Sequence, residues 1–314
     1  MRISLTALLV LLLTISCTGN HNDSVQLTLA EQYGLAYAPL QIAKTEGYIK
    51  EQLPDATIKW VKLGNTAAIR EAILGGKVDM GFMGIPPFLI GWDKGMKWKI
   101  FTGLSKAELG LVTWNQNITD LKDFGPEDKI ALPQPGSIQH ILLSMAAGRQ
   151  LGKADAFDNR LVTMKHPDGM SALLSKRDVT AHFTSPPYVR MEMKEPGMHM
   201  ILNGKEAMGG DFTFIVGAVT DSLYDKHPEV VEAVRKALAK AMELIQQNPD
   251  KAAAILKDEF SIDEKEIYTY LTDGSLIYSE DIEGVPEFLS FMKNSGYLQK
   301  TPKNLNEIII GDDE

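Results

Sequence analysis

The sequence predicts an α/β protein made of two similar lobes. The first observation is an alternation of apolar strand-like runs with amphipathic helical runs along most of the chain, the grammar of a mainly parallel sheet with helical crossovers. The second is an internal duplication. Ile73-Leu74-Gly75-Gly76-Lys77-Val78-Asp79-Met80 is followed by Pro86-Pro87-Phe88, and Leu173-Leu174-Ser175-Lys176-Arg177-Asp178-Val179 is followed by Pro186-Pro187-Tyr188. Both read as helix end, Asp, apolar strand, loop, then Pro-Pro-aromatic, about 100 residues apart. The spacing from Asp to the first Pro differs by one residue. Each copy places a loop and a helix N-terminus at the C-terminal edge of a sheet, where open α/β sheets bind ligands.

The elements follow in order. Val25 to Ala30 alternates as a strand, and Pro39 suits the first turn of a helix that stops at Gly47. Ala56 to Leu63 reads as a strand, after which Asn65 or Thr66 caps a helix ended by Gly75-Gly76. Val78 to Met83 is a short buried strand, Pro86-Pro87 opens a helix, and Lys97 to Leu104 and Leu109 to Trp114 are strands. The pattern then recurs. Lys129 to Leu132 is a strand, Gln134-Pro135-Gly136-Ser137 leads into a helix, and Leu161 to Met164 is a strand. Asp168 caps a helix, Val179 to Phe183 is a strand, and Pro186-Pro187 opens another helix. Phe212 to Thr220 is β-rich. The remainder is helical, beginning with a long amphipathic helix at His227-Pro228 and continuing near 250–259, 263–271 and 285–294.

The N-terminus reads as an export signal. Arg2 precedes the uncharged apolar run Ile3 to Ile15, the length of a signal-peptide core and too short to span a membrane. Ser16 and Cys17 follow, then a polar stretch to Ser24. An apolar run, a small residue and then Cys resembles a bacterial lipoprotein signal, with Thr14 where such signals usually carry Leu. That resemblance implies a signal peptide over 1–16, lipidation of Cys17 and a tether over 17–24. An ordinary secretory signal cleaved nearby is the other reading.

Cys17 is the only cysteine, so a disulfide and a thiolate metal site are both excluded. The six histidines, at 21, 140, 166, 182, 199 and 227, have no metal-ligand spacing, and neither a metal nor a cofactor is expected. A net charge of −9 disfavours nucleic acid as a partner.

At this point the chain resembles the substrate-binding proteins of ABC transporters. The family concerned includes sulfonate-, taurine-, nitrate- and thiamine-precursor-binding proteins. The residues that carry the resemblance begin with Ala38-Pro39-Leu40-Gln41-Ile42-Ala43-Lys44-Thr45-Glu46-Gly47-Tyr48, then Gly64-Asn65-Thr66 and Leu74-Gly75-Gly76-Lys77-Val78-Asp79-Met80-Gly81. Pro135-Gly136-Ser137-Ile138-Gln139-His140, Pro186-Pro187-Tyr188 and His227-Pro228-Glu229-Val230-Val231 complete the set. The resemblance implies a type II periplasmic-binding-protein fold: two Rossmann-like α/β lobes joined by two crossing strands, with ligand held between them. Lobe one would be 25–110 plus 215–314 and lobe two 111–214, with crossings near 109–114 and 212–219. It also implies a monomer that delivers its small-molecule ligand to a membrane permease and ATPase complex.

The candidate ligand contacts are the loops at the sheet edges. Tyr33 and Tyr37 offer an apolar face and a hydroxyl. Asn65 and Thr66 fit ligand contact or capping equally. Gly84 allows close approach of backbone, and Ser137 sits at a helix start where free N–H groups attract an anion. His140 lies one turn on. Thr184, Ser185 and Tyr188 come from lobe two, and Asp211 lies beside the second crossing. The stretches 32–38, 64–66, 83–88, 112–116, 134–140, 182–188 and 209–214 contain no Lys or Arg. An anion would therefore rely on helix N-termini and hydroxyls, while a neutral ligand stacked on tyrosine, with Asp211 accepting from an amine, fits the same residues.

An enzyme reading finds no support. No Gly-x-Ser-x-Gly surrounds Ser137, and His-Glu-x-x-His and phosphate-binding glycine loops are absent. A pyrimidine synthase of thiamine biosynthesis shares the fold but carries a Cys-rich motif, and menaquinone-pathway relatives are cytosolic, which the signal opposes. A sensory receptor that binds without transport could have an identical sequence.

Overall fold

Two sheets organise the chain, and a computed structural model describes residues 25–311 of it. The signal-like segment and Cys17 lie outside the described residues. In the first sheet, β1 (Gln26–Glu31) pairs in parallel with β2 (Thr57–Lys62) on one side and β3 (Met80–Gly84) on the other. The long β4 (Trp98–Ala107) then carries the chain out, and after Glu108 and Leu109 it becomes β5 (Gly110–Thr113) of the second sheet. There, β6 (Ile130–Leu132) pairs in parallel with β7 (Leu161–Thr163) and β8 (Ala181–Thr184), and β9 (His199–Asn203) lies at the edge. The chain returns as β10 (Ile215–Thr220), and β11 (Leu276–Ile277) adds to the first sheet.

The strand orders are β11-β4-β10-β3-β1-β2 and β7-β6-β8-β5-β9. Without β11 they are the same arrangement. In each, the one antiparallel strand, β10 or β5, lies beside a crossing and is inserted between the third and last parallel strands. The duplication read from the Pro-Pro-aromatic motifs therefore extends to whole-sheet topology.

Helices fill the crossovers. Lobe one uses α1 (Ala38–Thr45), α2 (Tyr48–Gln52), α3 (Thr66–Leu74) and α4 (Ile85–Asp93). Lobe two uses α5 (Ile138–Leu151), α6 (His166–Ser175), α7 (Tyr188–Lys194) and α8 (Gly204–Met208). The return to lobe one adds α9 (Asp221–Lys226), α10 (Pro228–Gln247), α11 (Pro249–Phe260), α12 (Glu264–Thr272) and α13 (Val285–Asn294). Local chemistry sets several starts: Asn65 accepts from the Ala68 N–H at 3.0 Å, and Ser137 accepts from the His140 N–H at 3.3 Å. The stripe Val231, Val234, Leu238, Met242 and Ile245 of α10 is buried, as its spacing requires. Under α4, Phe88 stacks on Trp98 with ring centroids 5.0 Å apart, a pair that adds about 1 kcal/mol to area burial.

Two local expectations are corrected, and two elements are added. Helix α6 starts at His166, because Pro167 occupies its first turn and pre-sets the backbone there, ahead of Asp168. Pro86 and Pro87 lie inside the first turn of α4, but the Pro186-Pro187 bond is cis and α7 starts after it, at Tyr188. Finally, β9 and α8 carried no sequence expectation. His199-Met200-Ile201-Leu202-Asn203 has no alternation, and it becomes a strand by pairing with β5.

Candidate ligand-binding cleft

The C-terminal edges of β1, β3 and β6 face a cleft between the lobes. Lobe one contributes Gln32, Tyr33 and Tyr37 ahead of α1, Thr66 at the start of α3, and Gly84 at the start of α4. Lobe two contributes Gln134, Ser137 and Gln139 around the start of α5, and His166 at the start of α6. Phe214 and Ile215, at the second crossing, close the floor. No lining side chain is an aspartate, glutamate, lysine or arginine. Five helices, α1, α3, α4, α5 and α6, therefore begin at a wall built of uncharged side chains. Each helix N-terminus carries the equivalent of roughly +0.5 charge, and its first-turn N–H groups lack intrahelical acceptors, although proline removes one or two of them in α1, α4 and α6. Helix dipoles and the remaining N–H groups are the features of this wall that suit an anion, since its lining has no basic side chain.

The lobes are closed on each other. The space deep in the cleft is about 30 Å³, room for little more than a water molecule. Two hydrogen bonds cross it. The Ala67 N–H on α3 donates to Gln134 Oε1 at 2.9 Å, so an amide oxygen from lobe two occupies one of the anion-favouring positions. The Leu35 N–H donates to the Pro186 carbonyl at 3.1 Å. Gly34 permits this with φ of +122°, and a Cβ there would lie 3.1 Å from the same carbonyl. At Gly84 a Cβ would stand 3.1 Å from Cβ of Ile138 across the interface.

Charged groups stand behind the wall. In lobe one, Glu31 at the end of β1 is 3% exposed and bonded to Gln41, with the Lys62 Nζ 3.9 Å away. Burial pushes its carboxyl up to about 7, with Lys62, Lys44 and the Gln41 bond opposing. Lys62 and Lys165 place their Nζ atoms 5.6 and 5.7 Å from the Tyr33 ring centroid, one from each lobe. In lobe two, His166 is backed by His182 and Glu192. His182 Nδ1 is 2.6 Å from Glu192 Oε1, His182 Nε2 is 3.4 Å from His166 Nδ1, and Thr184 Oγ1 is 2.9 Å from that same Nδ1. Both His182 and Glu192 are fully buried. Desolvation holds both imidazoles well below their usual range, His182 at about 3, and pushes the Glu192 carboxyl up to about 9. Tyr188 stacks on His166 at 5.7 Å between centroids, and burial raises its phenol to about 12.

Comparison with known proteins decides the family. The NMT1-like family matches residues 21–257. The chain belongs to the NMT1-like family. This NMT1-like chain is similar to the taurine-binding periplasmic protein of Escherichia coli K12, 26% identical over 239 residues, 73% of this chain and 69% of that protein. Its fold is shared with solved structures. The periplasmic aliphatic sulphonate binding protein SsuA of Escherichia coli superposes with a TM-score of 0.69 at 20% identity, over 90% of this chain and 91% of SsuA. The alkanesulfonate-binding protein SsuA of Xanthomonas axonopodis pv. citri, solved with MOPS, gives 0.72 at 18% identity, over 88% of this chain and 95% of the other. The NMT1-like chain thus has the periplasmic-binding-protein fold that its motifs imply. Among the described residues no helix is long and apolar enough to cross a membrane, and no cluster of three or more His, Cys, Asp or Glu could hold a metal.

The residues singled out from sequence separate into three groups. Tyr33, Tyr37, Thr66, Gly84 and Ser137 line the cavity. Asn65, Thr184, Ser185 and Tyr188 stand behind the wall: Asn65 caps α3, Thr184 bonds His166, Ser185 lies against Gly34, and Tyr188 stacks on His166. His140 and Asp211 are directed elsewhere. His140 bonds Asp158 at 2.9 Å and the Gly136 N–H at 2.8 Å, and exposed Asp211 pairs with Lys205 at 2.9 Å beside a separate recess near the crossings. Sequence reasoning passed over Gln32, Gln134, Gln139 and His166. For His166 a signal was present: with Pro167 at N2, the histidine is the first helical residue after a strand ending at a sheet edge.

Proposed function

We propose that this protein captures a small organic sulfonate or related oxyanion in the interlobe cleft and delivers it to an ABC permease and its ATPase. The observation that carries this is the convergence of five helix N-termini on a cavity whose walls hold no carboxylate. A cation would meet no charge partner there, whereas an anion meets N–H and O–H donors. The taurine- and sulfonate-binding relatives support the ligand class. The present cavity is too small for such a ligand, so lobe opening precedes binding and closure follows it. The protein is an exported binding protein in this reading, lipidated at Cys17 and held beside its permease, where tethering raises the local concentration.

Calorimetry on a soluble fragment beginning near Asn22 tests the ligand class, with ethanesulfonate, taurine and nitrate as anions and choline as a cation. One of the anions should bind and raise the melting temperature by linkage, and Ser137→Ala should weaken it several-fold. Binding of choline with none of the three anions would overturn the reading, as would chemical turnover of the bound anion. Mass spectrometry of the membrane-extracted protein tests the anchor, which Cys17→Ala should abolish.

A further inference from the structure

The buried set His166, His182 and Glu192 carries chemistry that a passive wall does not need. Only His166 reaches the cavity. Behind it, Glu192 Oε1 has His182 as its partner and Oε2 has no partner, although the side chain is fully enclosed. A carboxylate left with a bare oxygen in that place would be strongly penalised, whereas a neutral acid leaves only an unpaired carbonyl-type oxygen. Glu192 is therefore the donor, through Oε1–H, to His182 Nδ1. That fixes the remaining protons. His182 carries its hydrogen on Nε2 and donates toward His166 Nδ1, which also faces the Thr184 hydroxyl. His166 then carries its hydrogen on Nε2, which faces the cavity, and the Gln139 amide, whose nitrogen stands 3.3 Å from it, has to turn over to accept that hydrogen.

We propose that Glu192 is a proton store for the ligand site: an anion entering the cleft draws one proton along this chain and is held by a His166 imidazolium. The Glu192 O–H bond breaks as His182 Nδ1–H forms, and the His182 Nε2–H bond breaks as His166 Nδ1–H forms. The products are a Glu192 carboxylate that accepts from His182 Nδ1–H, a neutral His182, and a His166 cation against the ligand; the attraction between that cation and the anions on its two sides has to offset the burial of the carboxylate. No proton enters from solvent. The site thereby gains a positive charge only when an anion is present, and empty it remains neutral. The other ionisable groups near the chain do not supply this charge. Tyr188 from α7 stacks on His166 as a neutral phenol, and Tyr33 of lobe one lies beside Tyr188. Lys165 and Asp168 of α6 pair with each other at 3.6 Å, and the Lys165 Nζ is also directed at the Tyr33 ring. This inference rests on the anion reading of the cleft.

Infrared difference spectroscopy and calorimetry test it together, with ethanesulfonate and taurine as probes. Glu192→Gln keeps the hydrogen bond to His182, because its amide N–H replaces the acid O–H, but has no proton to give. The ligand-free wild type should show a buried carboxylic-acid carbonyl band that the variant lacks, and saturation with the sulfonate should bleach it. Wild-type binding should take up no proton between pH 6.5 and 8, as read from titrations in buffers of different ionisation enthalpy. The variant should take up as much as one proton, and its affinity should fall about tenfold per pH unit. His182→Gln, which interrupts the chain, should match Glu192→Gln in proton uptake but keep the acid band, which saturation should then leave unbleached. If no sulfonate or other anion binds the wild type, the functional reading itself fails. If a sulfonate binds while the band is absent from the free protein or survives saturation, the proton store is wrong and the cleft reading stands.

Discussion

Each lobe buries one acid close to the cleft, and the two acids are handled differently. Glu31 at the end of β1 has a cation within reach and a glutamine bond, and its carboxyl is held up at about 7. Glu192 on α7 has only a neutral imidazole, and its carboxyl is held up at about 9. The strand order is the same in both lobes, but the acids stand at different places on it, one at a strand end and one on a helix. The difference comes from what stands beside each acid, a lysine in one lobe and a histidine in the other. A duplicated scaffold has thus acquired one polarised, partly compensated wall and one that keeps its proton.

The largest expected effect of breaking this comparison is on stability in alkali. Glu192 has a folded pKa raised above its unfolded 4.5, so the stability linked to it is intact below 4.5 and is lost as pH rises toward about 9. The two histidines run the other way. Their folded pKa values lie below the unfolded 6.5, so their contribution is intact above 6.5 and lost as pH falls through and below it. Between them the folded set holds one proton, and the unfolded set holds one near pH 6.5, which places the stability maximum of these three groups at about that pH. Glu192→Gln removes the alkaline limb. Urea unfolding should find the variant more stable than wild type by on the order of 3 kcal/mol at pH 8, shrinking toward zero near pH 5. Equal stabilities at both pH values would show that Glu192 is ionised in the folded protein.

The matching substitution in lobe one is expected to do less. Glu31 loses its linked stability between pH 4.5 and about 7, and nothing further above that. Glu31→Gln forgoes the attraction of Lys62, which offsets part of the gain. Its stabilisation should be about 1 kcal/mol and the same at pH 7.5 and 8.5, whereas the effect of Glu192→Gln still grows over that interval. The same denaturation series at the two pH values separates the acids.

The two lobes also differ in how plainly the sequence announced them. Alternation and caps located most strands and helices, and the Pro-Pro-aromatic repeat announced two similar lobes. The residues of the cavity that were legible are those with a backbone reason to stand at a sheet edge: Tyr33 and Tyr37 before Pro39, Thr66 beside its cap, Gly84 before a proline helix, and Ser137 as a cap. His140 was misleading because helical spacing says only that it lies one turn from Ser137, not that Asp158 draws it away from the cleft. Gln134 and Gln139 were invisible for a related reason. A glutamine shows no local preference that reveals its partner, and the partner of Gln134 is an amide in the other lobe, 67 residues away. The His166–His182–Glu192 chain depends on α6, β8 and α7 meeting, which spacing alone cannot give.

The smallest effect concerns one of the contacts that join the closed lobes. Gln134 Oε1 accepts from the Ala67 N–H, and this bond joins a loop of lobe two to a helix start of lobe one. A single neutral hydrogen bond of this kind contributes about 1 kcal/mol net. Gln134→Ala should therefore shift the ligand-free balance toward the open form by roughly fivefold, without altering the fold of either lobe. Small-angle scattering should report a larger radius of gyration for the free variant and an unchanged one for the ligand-bound protein. The sign of the change in ligand affinity then tells what the amide does. If Gln134 stands in for the ligand's oxygen, its removal frees a donor and affinity rises. If it holds the bound form closed, affinity falls by about the same factor that the open population rose.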